Sequence, residues 1–184
     1  MRKFISGGSD VITLTEAKLF LKVDVTDDDD LITSQITSAR LWAEKYMNRQ
    51  LVSATYDLYL DKFKNPIEIY TCPASDVVTV KYYDSDGDLQ TLSSDYYTVD
   101  VVSEPARVAL APDYTWPDTD NRINAVVVRY VSGWADADSV PSMIKSGILL
   151  VVGHLYENRQ AVTKDVFREL PLGAKYLFDF YKVY

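Results

Sequence analysis

The side chains with the strongest reactive chemistry in this sequence are a single histidine, His154, and a single cysteine, Cys72. A nucleophilic Ser–His–Asp or Cys–His site would have to use His154. That residue lies in an apolar run with helical spacing, which favours a hydrogen-bonded structural histidine. Cys72 has no basic neighbour in sequence that would activate its thiol, so we interpret it as a packing residue. One histidine and one cysteine cannot supply the usual ligands of a zinc site.

Acidic residues form two clusters that could in principle bind a metal ion. The segment Asp84–Asp88 resembles a calcium loop, but its glycine is fourth rather than sixth and Asp95 stands where a glutamate is needed. We interpret the segment as a hairpin turn with Gly87 at positive φ. The run Asp27–Asp30 is interpreted as capping the start of a helix rather than as a cation site.

Other catalytic signatures are missing from the sequence. It contains neither a Walker loop nor a dinucleotide-binding glycine motif. An acid-dependent hydrolase stays an alternative because carboxylates are plentiful, although nothing singles out a pair of them. We therefore expect a protein without enzymatic activity, with no catalytic residue, no metal and no cofactor.

The charge distribution divides the chain of 184 residues into three parts. Its net charge is −8, which argues against a sequence-reading nucleic-acid binder. Residues 51–140 hold 15 acidic and 6 basic side chains and account for −9, whereas the two flanks carry −1 and +2. The acidic stretch suits either a soluble surface domain or a surface that repels phosphate.

Membrane insertion is not expected from the hydropathy pattern. The longest apolar run, Ile148–Val152, is far shorter than the roughly 20 residues that span a bilayer. The first residues lack the long apolar stretch of a secretory signal. We expect a chain that is soluble and cytoplasmic when made.

Helical patterns occur at both ends of the chain. Thr13 and Glu16 have the spacing of a capping box and predict a short helix at about 14–22. Apolar residues three and four apart predict a second helix at about 28–48. A third helix begins near Pro141 and is apolar on most sides, which indicates burial in the monomer core, against a neighbouring subunit, or both. Residues 160–169 are predicted as a loop, and Leu172–Tyr181 as a short fourth helix.

The middle of the chain alternates apolar and polar residues, as short strands do. Seven strands are predicted, at Tyr56–Leu60, Ile67–Tyr70, Val77–Tyr83, Leu89–Leu92, Tyr97–Val101, Arg107–Leu110 and Ala125–Val131. Seven short strands in succession indicate a small antiparallel sandwich or barrel. The predicted fold class is therefore α+β: a small helical core of about four helices, residues 1–50 and 136–184, with a β domain, residues 51–135, inserted between helices 2 and 3.

The sequence resembles the phage gp6-like head–tail connector, or head-completion adaptor, family in a longer form. Three helical segments carry the resemblance, namely Ile12–Ile32, Val140–Arg159 and Leu170–Gly173. The resemblance implies a virion structural protein that forms a homo-oligomeric ring, usually twelve-fold, below the portal protein. Such a ring extends the DNA tunnel, lets DNA pass without sequence-specific binding, and offers a platform to the next neck or tail-completion protein. It further implies assembly in the host cytoplasm and final residence in the virion neck.

The same resemblance suggests which residues make protein contacts. In related adaptors the C-terminal tail engages the portal, which on this chain points to Leu170, Pro171, Leu172, Phe178, Phe180 and Tyr181. The apolar third helix adds Ile148 and Val152 as subunit-interface candidates. The aromatic-rich C-terminal segment fits an interface or a helix packed on its own domain. The alternative function is a β-domain binding module for carbohydrate or protein, with Tyr82, Tyr83, Tyr96, Tyr97 and Trp116 as its platform.

Overall fold

The structure is a computed structural model, and it describes residues 1–158 and 172–183. Its four α-helices are α1 (Leu14–Leu21), α2 (Asp29–Met47), α3 (Ser142–Glu157) and α4 (Leu172–Asp179). Its strands are β1 (Arg2–Gly7), β2 (Ala54–Leu60), β3 (Ile67–Ile69), β4 (Ala74–Tyr83), β5 (Leu89–Thr91), β6 (Tyr97–Asp100), β7 (Ala106–Leu110) and β8 (Val126–Ser132). The predicted α+β class is confirmed, with all seven predicted strands present.

The chain divides into two compact units. The β unit comprises Met1–Gly8 and Ser53–Trp134, and the helical unit comprises Ser9–Val52 and Ala135–Tyr184. The helical core was predicted to include residues 1–50. The first eight of these residues lie in the β unit instead. The reason is that Arg2–Gly7 forms a strand, β1, which pairs antiparallel with β2.

The β unit is a sandwich-like pair of open antiparallel sheets. One has the strand order β1-β2-β8-β4-β5 and the other β3-β7-β6. A single hydrophobic cluster includes side chains from both sheets, among them Val80 and Val128 from the first and Ile67 and Val108 from the second. Alternate residues of β2, β3, β7 and β8 therefore enter the shared core, as expected where two sheets pack face to face.

Strand β1 was not predicted because its residues give no burial signal. All six of its residues are exposed, so no alternation of apolar and polar positions marks it. It ends at Gly7, whose φ is +93° and where a Cβ would lie 2.6 Å from the Ser53 carbonyl oxygen. Only glycine fits this close approach of two backbones.

The helical unit begins with the predicted capping box. The Glu16 backbone N–H donates to the Thr13 hydroxyl at 3.2 Å, and the Thr13 N–H donates to the Glu16 carboxylate at 2.7 Å. The Thr13 backbone N–H and hydroxyl both donate to the Glu16 carboxylate and lower its pKa. The buried face of α2 contains Ile32, Ile36, Ala39, Ala43 and Met47, spaced as predicted.

The acidic side chains at the start of α2 have different hydrogen-bond partners from those predicted. Asp28 occupies the N-cap position, but its side chain makes no capping hydrogen bond. Its carboxylate instead accepts from the Tyr156 hydroxyl at 2.6 Å, and the Asp29 carboxylate accepts from Lys18 Nζ at 2.6 Å. The capping interpretation was therefore wrong for these side chains, which tie α2 to α3 and to α1.

Helix α3 is the centre of the helical unit. Its buried residues are Ile144, Gly147, Ile148, Val151 and Val152. Leu150 and Met143 stay partly exposed on the opposite side. Burial inside the monomer thus accounts for most of the helix's apolar character. The loop predicted at 160–169 lies outside the described residues, and no helix of the described ranges is long and apolar enough to cross a membrane.

Candidate interface surfaces

The C-terminal helix α4 is held in the helical unit by one aromatic side chain, Phe178. Phe178 is fully buried, and its ring lies 5.7 Å from that of Trp42 and 6.3 Å from that of Tyr46. The two α2 rings are themselves stacked at 5.2 Å. A buried aromatic of this size contributes a large part of the packing energy of so short a helix.

Polar contacts fasten the residues that follow α4 to the end of α2. The Tyr46 hydroxyl donates to the Asp179 carboxylate at 2.7 Å. The Val183 N–H donates to the Met47 carbonyl at 2.9 Å, and Arg49 Nε donates to the Tyr181 carbonyl. The Val183 bond satisfies the Met47 carbonyl, one of the groups at the end of α2 that lack a partner within the helix. They give the C-terminal segment a defined path along the α2 end.

One face of α4 and of the turn that follows it is left without a partner among the described residues. Tyr176 and Phe180 are 66% and 63% exposed, and their rings meet edge to face at a centroid distance of 5.3 Å. Two adjacent exposed aromatic rings form an apolar surface of the kind enriched at protein interfaces. We refer to Tyr176 and Phe180 as the aromatic pair.

The structure separates the predicted interface residues into three groups. Leu170 and Pro171 lie outside the described residues, and Leu172 begins α4. Phe178, Ile148 and Val152 are buried in the core of the helical unit. Their side chains already pack within their own chain, so they could contribute to an interface only indirectly, by holding its exposed residues in place. Phe180 is exposed and Tyr181 is half-buried, which leaves both accessible to a partner.

A further exposed apolar surface was missed by the sequence analysis. Leu19, an apolar residue of α1, is 81% exposed. Phe20 and Val25 are also exposed. The Phe20 ring would lie 3.2 Å from a Cβ placed at Gly153, so its inner edge rests against α3. In so short a helix, spacing alone did not distinguish the α1 residues that face the core from those that face outward.

The aromatic platform of the alternative binding function is mostly part of the β-unit core. Tyr82, Tyr96, Tyr97 and Trp116 are partly buried and pack against the hydrophobic cluster. Trp116 stacks on Phe63 with ring centroids 4.7 Å apart. These rings are therefore engaged within the β unit and do not present an open stacking surface. No observation favours the carbohydrate-binding alternative.

The residues with reactive chemistry occupy structural positions. His154 is half-buried and its Nδ1 lies 3.4 Å from the Asn158 side-chain nitrogen. Cys72 is buried. The predicted hairpin turn is confirmed, because Tyr83 pairs with Leu89 and Gly87 has a φ of +87°. The Asp84 carboxylate accepts the backbone N–H groups of Asp86 and Asp88 within it. Within residues 1–158 and 172–183, no group of three or more His, Cys, Asp or Glu side chains is placed to hold a metal ion.

One half-buried carboxylate organises the end of α2. Glu44 accepts from Gln50 Nε2 at 2.9 Å, from the Leu51 N–H at 3.1 Å and from Arg40 at 2.9 Å. Burial raises the pKa of Glu44 despite these partners. The Arg40 guanidinium also contacts Asp10 at 2.7 Å. This network orients the turn that leaves α2, which is a structural task.

Comparison with known proteins decides the family. The model of the phage gp6-like head-tail connector protein family matches residues 11–104, just over half of the chain. This chain belongs to that family. The match includes α1 and α2, and with them the first of the three segments that carried the resemblance, and it continues into the β unit. No curated protein matches by sequence at a significant level.

Solved structures from gene transfer agent particles share the fold of this family member. A chain in the neck of an empty particle, computed with C6 symmetry, matches with a TM-score of 0.81 at 14% identity. A chain in the virion of the native particle matches with a TM-score of 0.80 at 15% identity, and one in the native neck, computed with C12 symmetry, with 0.73 at 17%. Each match covers 100% of this chain and 96% of the other.

Proposed function

We propose that this head-tail connector family member is a structural adaptor of a virion neck, with no enzymatic role. The observation that carries the proposal is the agreement of family and fold. The family model matches residues 11–104, and the same fold, over the whole chain, occurs in chains from gene transfer agent particles. Since those neck structures have C6 and C12 symmetry, we infer that copies of this chain form a closed ring.

The ring is proposed to lie below the portal protein, extend the DNA tunnel and present a platform for the next neck or tail-completion protein. DNA would pass through without sequence-specific binding. The acidic balance of residues 51–140, a net charge of −9, supports this idea, because phosphate affinity comes mainly from lysine and arginine. Assembly in the host cytoplasm is part of the proposal.

The portal contact is proposed to involve the C-terminal segment. The supporting observation is that the segment has a defined path and still exposes the aromatic pair. The predicted docking residues Phe180 and Tyr181 belong to the same segment, and Phe178 supports it from the core. The docking roles of Leu170, Pro171 and Leu172 stay predictions.

The deciding experiment uses purified chain and purified portal. Light scattering and negative-stain imaging should show a ring, either for the chain alone or once portal is added as a template. The hypothesis predicts a complex of portal and several copies of the chain. A chain that stays monomeric and does not bind portal would contradict the proposed function.

A further inference from the structure

A cleft of about 440 Å³ lies on the outer face of the five-stranded sheet, away from the hydrophobic cluster. Its floor is a cross-strand row in which Tyr59 pairs with Val127, and Val127 pairs with Lys81. Side chains of residues that are paired directly across neighbouring strands share a face of the sheet. The floor is therefore built on the rigid centre of the β unit rather than on a loop.

The cleft concentrates positive charge in the most acidic part of the chain. Three of the six basic residues within 51–140 line it, namely Lys81, Arg122 and Arg129. Arg129 is paired with the buried carboxylate of Asp57 through two bonds of 2.8 Å. Among the described residues, Lys81 and Arg122 have no ion-pair partner. These two charges are available to an anionic group from outside.

The side chains around these cations are those of a protein-binding site. The Arg122 guanidinium lies over the Tyr83 ring at 3.9 Å, which holds it at the cleft. Two apolar side chains of the lining, Leu89 and Ile123, are 51% and 80% exposed. Tyrosine and arginine are enriched at the centres of protein interfaces. A nucleic-acid phosphate backbone would make no favourable contact with the apolar side chains of Leu89 and Ile123. The net charge of −9 on residues 51–140 would also repel it.

We propose that this basic cleft receives an acidic segment of a second copy of this chain. Charge complementarity supports this contact, because each copy has many exposed carboxylates and one concave site with two unpaired cations. A contact between two different surfaces of identical subunits is heterologous, and repetition of such a contact closes a ring. The proposal rests on the ring function and identifies one surface that would build it.

The first test reverses the two free charges. The double variant Lys81→Glu/Arg122→Glu should lower self-association of the full chain by about tenfold or more, because like charges across a contact repel. The matched control, Lys62→Glu/Lys64→Glu, makes the same charge change at two exposed lysines of the same unit and should assemble as the wild type does. Melting temperatures of both variants show whether the fold is kept.

The outcomes separate this inference from the ring function itself. If the wild type forms rings and the Lys81/Arg122 variant forms them equally well, the basic cleft is not the contact and only this inference fails. If the wild type forms no ring even with portal, the proposed function fails and the inference with it. Equal losses in both double variants would point to overall charge and would also overturn the inference.

A second test identifies the occupant directly and does not depend on charge reversal. Cys72 is buried, so the variant Ile123→Cys places an accessible thiol at the cleft. A photoreactive maleimide on that thiol is activated in a mixture of isotope-labelled and unlabelled chains, with portal and duplex DNA present. Crosslinks joining labelled to unlabelled chain at an acidic peptide are expected. Crosslinks only to portal or only to DNA would overturn the inference.

Discussion

The ring of Phe178 occupies the space where Gly147 lacks a side chain. A Cβ built at Gly147 would lie 2.5 Å from Phe178 Cε1 and 2.8 Å from Cζ, closer than real Cβ contacts come. Both residues are fully or almost fully buried, one on α3 and the other on α4. The glycine thus lets a large aromatic side chain of the C-terminal helix approach the backbone of the central helix.

Gly147→Ala should destabilise the helical unit. Overpacking costs about 1–3 kcal/mol, and the better helix propensity of alanine returns up to about 1 kcal/mol, so we expect a net loss of roughly 1–2 kcal/mol. Gly173→Ala is the matched control, since its Cβ would meet Leu150 at an ordinary 3.9 Å. Urea unfolding of both variants measures the difference. Equal stability of the two variants would contradict the packing described here.

The aromatic pair should matter for portal binding and not for folding. Tyr176→Ser/Phe180→Ser removes two exposed rings and should weaken portal affinity by about tenfold or more, with unfolding free energy changed by less than about 0.5 kcal/mol. Phe178→Ala should instead lose about 3–5 kcal/mol of stability, because its ring is buried. Surface plasmon resonance against immobilised portal provides the affinity. Leu41→Ser, at an exposed apolar residue of α2, is the control that should leave affinity unchanged.

The capping box should contribute measurable stability to α1. Thr13→Ala removes the hydroxyl that accepts the Glu16 N–H and should cost about 1 kcal/mol. Thr15→Ala, two residues later on an exposed position, makes the same chemical change without losing a cap. Thermal and urea unfolding of the pair compare them directly. A Thr15 variant as unstable as the Thr13 variant would count against the cap.

Stability at acid pH should depend on Asp100. The Arg107 guanidinium, at 2.6 Å, and the Ser103 hydroxyl, at 2.7 Å, hold the pKa of this carboxyl well below its usual value of 3.8. A depressed folded-state pKa contributes stability that is present above pH 3.8 and is lost as the pH falls below it.

Asp100→Asn should therefore flatten the fall of stability between about pH 4 and pH 2. The measurement is the urea midpoint at a series of pH values. Asp86→Asn is the control, because the Asp86 carboxylate accepts no hydrogen bond from the residues that the structure describes; it should keep the wild-type slope. An unchanged slope in the Asp100 variant would show that the ion pair is not maintained in solution.

Much of the fold follows from local patterns in the sequence. The capping box at Thr13, the three-and-four spacing from Ile32 to Ala43 and the alternation in Val77–Tyr83 each depend on residues close in the chain. Such signals report which face of an element is apolar. They were sufficient for four helices, seven strands and the α+β class.

Elements without a buried face escaped prediction. Strand β1 is exposed along its whole length and forms through backbone hydrogen bonds to β2. The residue pattern within 2–7 carries no signal of that pairing. The partners of Asp28 and Asp29 were misassigned for a similar reason. Tyr156 is 128 residues away from Asp28, so only folding brings the two side chains together.

The sequence by itself determined the element types, the family resemblance and the uneven charge, because these depend on residue types and on spacings of a few positions. Tertiary structure alone decided which apolar side chains are core and which are surface. Phe178 and Phe180 are two residues apart and equally apolar, yet one is buried and the other is 63% exposed. The two side chains lie on different sides of the C-terminal segment, and the packing of α2 and α3 defines which side is the interior.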